Sequence, residues 1–193
     1  DNEEGYHVYA KFEEDYAHNQ AYSKLYAGLD FGFALPWGHS SVWMYNAAGG
    51  SLGNRRNALD YFFMGAFGNN FVDDREVKRY RDYDSFPGLP IDDFSARYFF
   101  KSTGEFNFPP IRFDDLGNEA FYVSSVRPAV FGGVLLTDVG DGNAHAAEDL
   151  GFQLDWNFTV AVRLPMTLSI GDAIGVENNH IRRNEIMVSL KIL

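Results

Sequence analysis

In the stretch from Leu150 to Val162, LGFQLDWNFTVAV, every second residue is apolar. Successive side chains of a strand point to opposite faces, so this period of two gives the segment one greasy face and one polar face. Leu150, Phe152, Leu154, Trp156, Phe158, Val160 and Val162 lie on the first; Gln153, Asp155, Asn157 and Thr159 lie on the second. What the greasy face meets, a protein core or lipid, decides the fold class.

Seven further segments carry the same rhythm less cleanly. They are Tyr6 to Phe12, Leu25 to Leu35, about Ser40 to Ala48, about Phe94 to Phe106, about Glu119 to Thr137, Met166 to Gly171, and the C-terminal NEIMVSLKIL. No segment competes with a helical period. The connections after the second and sixth strands are very short and the one after the fourth is intermediate. Those after the third, fifth and seventh are longer, and the one after the third runs from about 51 to 93. Short turns alternating with long loops is the plan of an outer-membrane barrel. Strands of about nine to eleven residues also suffice to cross a bilayer, whereas soluble strands average about five to six. Trp37, at the PWG turn, suits a membrane interface. The expected fold is all-β: an antiparallel transmembrane β-barrel of about eight strands, with residues 1–193 as one domain. A soluble β-sandwich is the alternative that alternation alone leaves open.

Composition fits narrow apolar stripes. Aromatics make up 17% of the 193 residues, yet mean hydropathy is -0.27. Cysteine is absent, which excludes disulfides and thiolate metal sites. The formal net charge of -11 argues against nucleic acid as a partner. No run of eighteen apolar residues encodes a transmembrane helix.

Three short motifs add a resemblance. The long loop contains KRYRDYDSFPG, the fourth strand GEFNFPP, and the fifth ends LLTDVGD. In this order they resemble the C-terminal half of the bacterial surface antigen superfamily, the outer-membrane assembly and translocation barrels. The family's loop motif V-R-G-[FY] is matched by Tyr80, Arg81, Asp82 and Tyr83. Its F-x-D-x-G is matched by Leu136, Asp138 and Gly140, and its E-x-R-F-P by Glu105, Phe108 and Pro109. GDAIG (Gly171 to Gly175) is similar to the family's penultimate hairpin. Asp82 stands where the family has Gly, Leu136 where it has Phe, and Asn107 where it has Arg. The chain ends on Leu193 where the family ends on an aromatic residue. The resemblance implies the second half of a sixteen-strand barrel whose long loop folds into the lumen. Closure as a small eight-stranded barrel is the alternative that sterics allow.

A loop of about forty residues needs an anchor to be ordered. An Arg81 fork on the Asp138 carboxylate would supply one, with Tyr83 and Phe86 shielding it against the lumen wall. The alternative is a solvated cluster of Lys78, Arg79, Arg81 and Asp82. In the fifth strand Arg127 and Asp138 have opposite parity, so a bulge is expected between them, near Pro128 or Gly132-Gly133. The segment DVGDGNAHAAED has oxygens for calcium but misplaces the glycine and final glutamate of an EF-hand, so a Gly- and Asp-rich turn is expected. AGGSLGNRR lacks the Lys-Ser/Thr of a P-loop, the five histidines lack ligand spacing, and no G-x-S-x-G elbow occurs.

These readings predict a bacterial-type outer-membrane protein with no enzyme activity, metal or cofactor. Its partners would be the lipid bilayer and unfolded outer-membrane polypeptides or periplasmic assembly factors, and its work insertion or passage of polypeptides or lipids. Leu150, Phe152, Leu154, Trp156 and Phe158 would face lipid. A passive channel or anchor for a periplasmic module is the first alternative. A soluble β-barrel around an apolar ligand is the second.

Overall fold

The alternating segments form strands longer than their cleanest periodicity. In the computed structural model, which describes residues 3–17, 19–52, 58–67, 77–114, 116–139, 144–161, 163–178 and 180–192, the long strands are β1 (Gly5–Ala17), β2 (Gln20–Ala34), β3 (Ser41–Ser51), β6 (Tyr98–Asn107), β9 (Phe121–Thr137), β10 (His145–Val160), β11 (Leu164–Glu177) and β12 (His180–Ile192). Short strands β4 (Phe62–Met64) and β5 (Phe94–Ala96) pair with each other within the long connection between β3 and β6. Two more, β7 (Ile111–Arg112) and β8 (Gly117–Asn118), add to β9 beyond the end of β6. The described residues contain no α-helix.

All long strands belong to one antiparallel sheet in the order β1-β2-β3-β6-β9-β10-β11-β12. The chain thus meanders, each long strand pairing with the next. Among the described residues β1 and β12 do not pair, so the sheet is not closed.

Among the described residues one face of this sheet is covered and the other is bare. Tyr83 of the long connection stacks on Tyr26 of β2 at 4.2 Å between ring centroids. Five residues later Gly88 donates its N–H to Glu185 of β12. With strands about 4.8 Å apart, β2 and β12 would be roughly 29 Å apart in a flat sheet. A segment of tight turns reaches both because the sheet curls around it. The long connection therefore fills the concave face, where Phe62, Met64, Phe86, Leu89, Phe94 and Phe99 form part of a buried cluster.

Polarity on the two faces is inverted relative to a soluble protein. Lys101, Glu105, Asp149, Gln153 and Asp155 are buried on the concave side, with Gln153 at 0% exposure. On the convex side Val8, Leu29, Phe100, Val134, Leu150, Ile174, Ile186 and Leu190 are exposed, Leu150 at 69%.

Two sequence expectations fail in this frame. The register from Ser125 to Thr137 against β10 is continuous, and the bulge falls at Ser124 instead, between the Asn157↔Ser125 and Phe158↔Val123 pairs. No bulge near Pro128 is needed because Asp138 is not in the strand. It lies one residue past the end of β9 with φ of 46°, so Arg127 keeps inward parity with Phe131 and Leu135. The connection after the seventh long strand is not long either. β11 continues to Glu177 and β12 starts at His180, because a register shift at Gly175/Val176 absorbs the break in alternation. Arg182, in what reads as loop sequence, bridges Glu177 at 3.2 Å and Asp93 at 3.6 Å.

Candidate functional site

The concave face of β6 has inward parity at Phe99, Lys101, Thr103, Glu105 and Asn107, and all but Asn107 are buried. Two of these are charged and lie four residues apart on one face, roughly 13 Å along the strand. Each holds a different part of the long connection.

Glu105 takes the side chains. Arg81 Nε donates to Glu105 Oε2 at 2.8 Å and Arg81 Nη2 to Oε1 at 2.7 Å, a two-pronged tie. Lys78 Nζ donates to Glu105 Oε1 at 3.0 Å and also to Asn107 Oδ1. The Glu105 side chain is 0% exposed and those of Lys78 and Arg81 are 3% and 13% exposed. Burial pulls the Lys78 ammonium below the ordinary lysine range, against the opposing pull of Glu105. For Arg81 burial acts the same way, but its hydrogen bonds and attraction to Glu105 outweigh it and hold the guanidinium above its ordinary value. The Arg81 guanidinium also lies 5.0 Å from the ring centroid of Tyr45 on β3. Between the two cations Tyr80 is fully buried and stacks on Phe131 of β9 at 3.8 Å, so apolar contact and charge are satisfied in one short 3-10 turn, Arg79–Arg81.

Lys101 takes the backbone. Its Nζ donates to the carbonyl oxygens of Tyr80 at 2.9 Å, Asp82 at 2.5 Å and Ser85 at 2.5 Å. An ammonium has three protons, and here each finds a main-chain acceptor. Asp149 of β10 is also buried on the concave side. Further around the sheet, Gln153 Nε2 donates to Val77 O at 3.3 Å and to Asp155 Oδ1 at 2.6 Å. At the far edge Glu185 of β12 accepts from Phe67 N at 3.2 Å and Gly88 N at 3.0 Å.

The expected partner of Arg81 is therefore corrected from Asp138 to Glu105. Glu105 pairs with Phe131 in the sheet, and Asp138 lies seven residues further along the chain, just past the end of β9 and roughly 23 Å away. No arginine side chain spans that distance. Asp138 instead folds its carboxylate back over the end of the β6–β9 ladder, where Oδ1 accepts from the N–H groups of Arg97 at 2.9 Å and Tyr98 at 3.0 Å. The solvated-cluster alternative also fails, since Lys78 and Arg79 are buried and Arg81 is bonded to the wall. Gly140 lies outside the described residues.

The remaining expected positions divide. Tyr83 and Phe86 do pack on the sheet: Tyr83 against Tyr26 and Phe99, and Phe86 at 0% exposure in the core cluster. Of the fourth-strand motif only Glu105 belongs to the site. Phe108 and Pro109 lie beyond the end of β6 and are exposed, Phe108 against the ring of Phe106. Leu150 and Phe152 are exposed on the convex face, while Leu154, Trp156 and Phe158 share that face half-buried by their neighbours. Sequence reasoning places Lys78 only in the solvated cluster and Gln153 only on the polar, lumen-facing side, and it does not single out Lys101 or Glu185. The signal for these last two is a charged side chain at an inward-parity position of a strand.

Between β1–β3 and the Arg81–Asp84 segment an open cavity of about 1030 Å3 remains, lined by Tyr9, Lys11, Tyr26, Asp30, Trp43 and Tyr45 among others. No group of three or more potential metal ligands occurs among the described residues. What the arrangement can do is hold a folded segment against a polar wall.

No family model, curated protein or solved structure matches the chain.

Proposed function

We propose that this chain forms half of an outer-membrane β-barrel of the assembly and translocation superfamily, whose work is to aid insertion or passage of polypeptides or lipids. The observation that carries this reading is the inverted sheet: apolar side chains exposed on the convex face and buried charges on the concave one. Water stabilises neither arrangement. A bilayer outside and a polar lumen inside stabilise both, since lipid-facing and lumen-facing residues alternate in membrane barrels. The superfamily resemblance supports the same reading only through its motifs, since the Arg81–Asp138 tie it implies is replaced by one between Arg81 and Glu105.

Size supports half a barrel over a small closed one. An eight-stranded barrel has an interior just wide enough for side chains. Here the concave face holds a folded segment with its own strand pair and buried aromatic cluster. Among the described residues the margins β1 and β12 have no further strand beside them; they run antiparallel and would be available to further strands or to a substrate strand. A second reading, a closed anchor for a periplasmic module, is favoured by how firmly the loop is tied, at Glu105, Lys101 and Glu185. The soluble carrier of an apolar ligand is disfavoured by the charged interior.

Refolding into lipid vesicles tests the proposal. The chain should become protected from protease, resist carbonate extraction and migrate differently on gels with and without boiling. A chain that stays monomeric and folded in plain buffer, without lipid or detergent, overturns the membrane reading. Conductance in planar bilayers separates the two membrane readings, as a translocating barrel should open transiently and an anchor should stay silent.

A further inference from the structure

We infer that Glu185 is a clasp between the edge strand β12 and the long connection, so that the loop's position and the order of this edge are coupled. The coupling is a property of the fold, and only its use, in admitting a new strand at this margin, rests on the barrel reading. Among the described residues β12 pairs with β11 alone, and its other margin has no ladder. Such a strand frays unless something besides one ladder holds it.

Here the second hold is the loop. A short bridge between Ala66 and Phe86 brings two distant parts of the connection side by side. Phe86 N donates to Ala66 O at 2.7 Å and Ala66 N to Leu89 O at 3.1 Å. The N–H groups next to this bridge, those of Phe67 and Gly88, point the other way and have no strand to meet. The two oxygens of Glu185 take one each, as the carbonyls of a neighbouring strand would. Two residues on, Met187 is buried with Phe67, Tyr80 and Phe131 in one apolar cluster, so β12 is tied to the loop through packing as well.

The approach is close enough to exclude side chains. A Cβ on Gly88 would lie 2.1 Å from Gly175 N, and one on Gly175 would lie 2.3 Å from Gly88 O. Gly88 has φ of 81°, a conformation that favours glycine. Main chain thus rests on main chain at β11, which sets the loop at the distance Glu185 can reach. A coupling of this kind is reciprocal: whatever loosens the loop loosens β12, and the reverse.

Hydrogen exchange read by mass spectrometry on the whole chain in detergent micelles tests this without requiring a bilayer. Glu185→Gln replaces one acceptor by an amide donor facing an N–H group. It should raise exchange about tenfold in both residues 77–90 and β12, while the β1–β2 ladder at the other margin stays at the wild-type rate. Lys101→Met, which removes one of the loop's two anchors on β6, should raise β12 exchange as well, although β6 lies four strands away from β12. Glu185→Asp, a milder change, keeps the charge while shortening the reach, and should show the same pattern at smaller amplitude. Faster loop exchange with β12 unchanged overturns the clasp. So does a uniform rise over all strands in every variant, which marks general destabilisation. If vesicle insertion fails while this coupling holds, the clasp stands and the barrel reading falls.

Discussion

Glu105 is the residue on which most charge converges, and its surroundings fix how each partner's loss should be felt. Arg81 and Lys78 both end on its carboxylate, which has no exposure to water. Breaking a buried ion pair from one side costs about 3–5 kcal/mol because the other charge is stranded. Arg81→Ala leaves Lys78 on the carboxylate and should fall at the lower end of that range. Glu105→Ala strands two cations and should fall at the upper end. The double variant should be less damaged than the sum of the singles, and strict additivity in a urea-unfolding cycle would refute the pairing. Asp138→Ala removes a cap on two backbone N–H groups and should cost about 1–2 kcal/mol, in line with other backbone caps. It should show no coupling to Arg81, since the two sit in different places. A measured Arg81–Asp138 coupling above about 0.5 kcal/mol contradicts the geometry described here.

At the scale of the strand, β10 separates what alternation can tell from what it cannot. Its parity was legible: Leu150 and Phe152 lie on one face, Gln153 and Asp155 on the other. What lies over each face was not, because alternation says nothing about the long connection that returns to cover one of them. Gln153 illustrates the consequence. As a wet lumen position it would accept Arg easily, but it is fully buried and bonded to Val77 O and Asp155, beside Ser169 Oγ on the same carboxylate. Gln153→Arg should therefore destabilise the fold in detergent and in vesicles alike. Leu154→Arg should cost about 2–4 kcal/mol in vesicles if it sits near the midplane, and less as the site is moved toward an interface. Equal tolerance of Arg at Leu154 and at an exposed turn residue such as Ile91 would argue against lipid on this face. The misplaced bulge has the same origin. A parity carried through Asp138 treats it as strand, and only its positive φ shows that the strand has already ended. Likewise the Arg81 anchor was legible as a need, since a loop of that length must be tied. Which carboxylate met the need depended on the height of Arg81 along the sheet, a distance that no local pattern encodes.

For the whole molecule, the sheet and its contents set a geometric conflict that closure must resolve. β1 points opposite to β12, so the two margins could pair antiparallel and complete a ring. Such a ring would have an interior filled by wall side chains alone. The interior is already taken: Phe62, Met64, Phe86 and Leu89 of the connection pack there, with Tyr80 and Phe67 beside them. A cavity of about 1030 Å3 still remains on the β1–β3 side. Closing the margins would have to expel this segment, breaking its ties at Glu105, Lys101 and Glu185 together. The margins should therefore stay apart as long as the loop is in place. Cysteine pairs introduced at Val8 or Phe12 of β1 and at Val188 or Leu190 of β12, with the chain in vesicles and an oxidant added, should give no intrachain disulfide in the otherwise native sequence. Because the native chain has no cysteine, the readout has no background. Combining Lys101→Met with Glu105→Ala weakens the loop at two of these anchors. Intrachain bridges should then rise if the freed sheet can close on itself, and bridges between copies should rise if it recruits another edge. Efficient intrachain oxidation with the loop still anchored would show that eight long strands enclose it after all, and the half-barrel proposal would have to be abandoned.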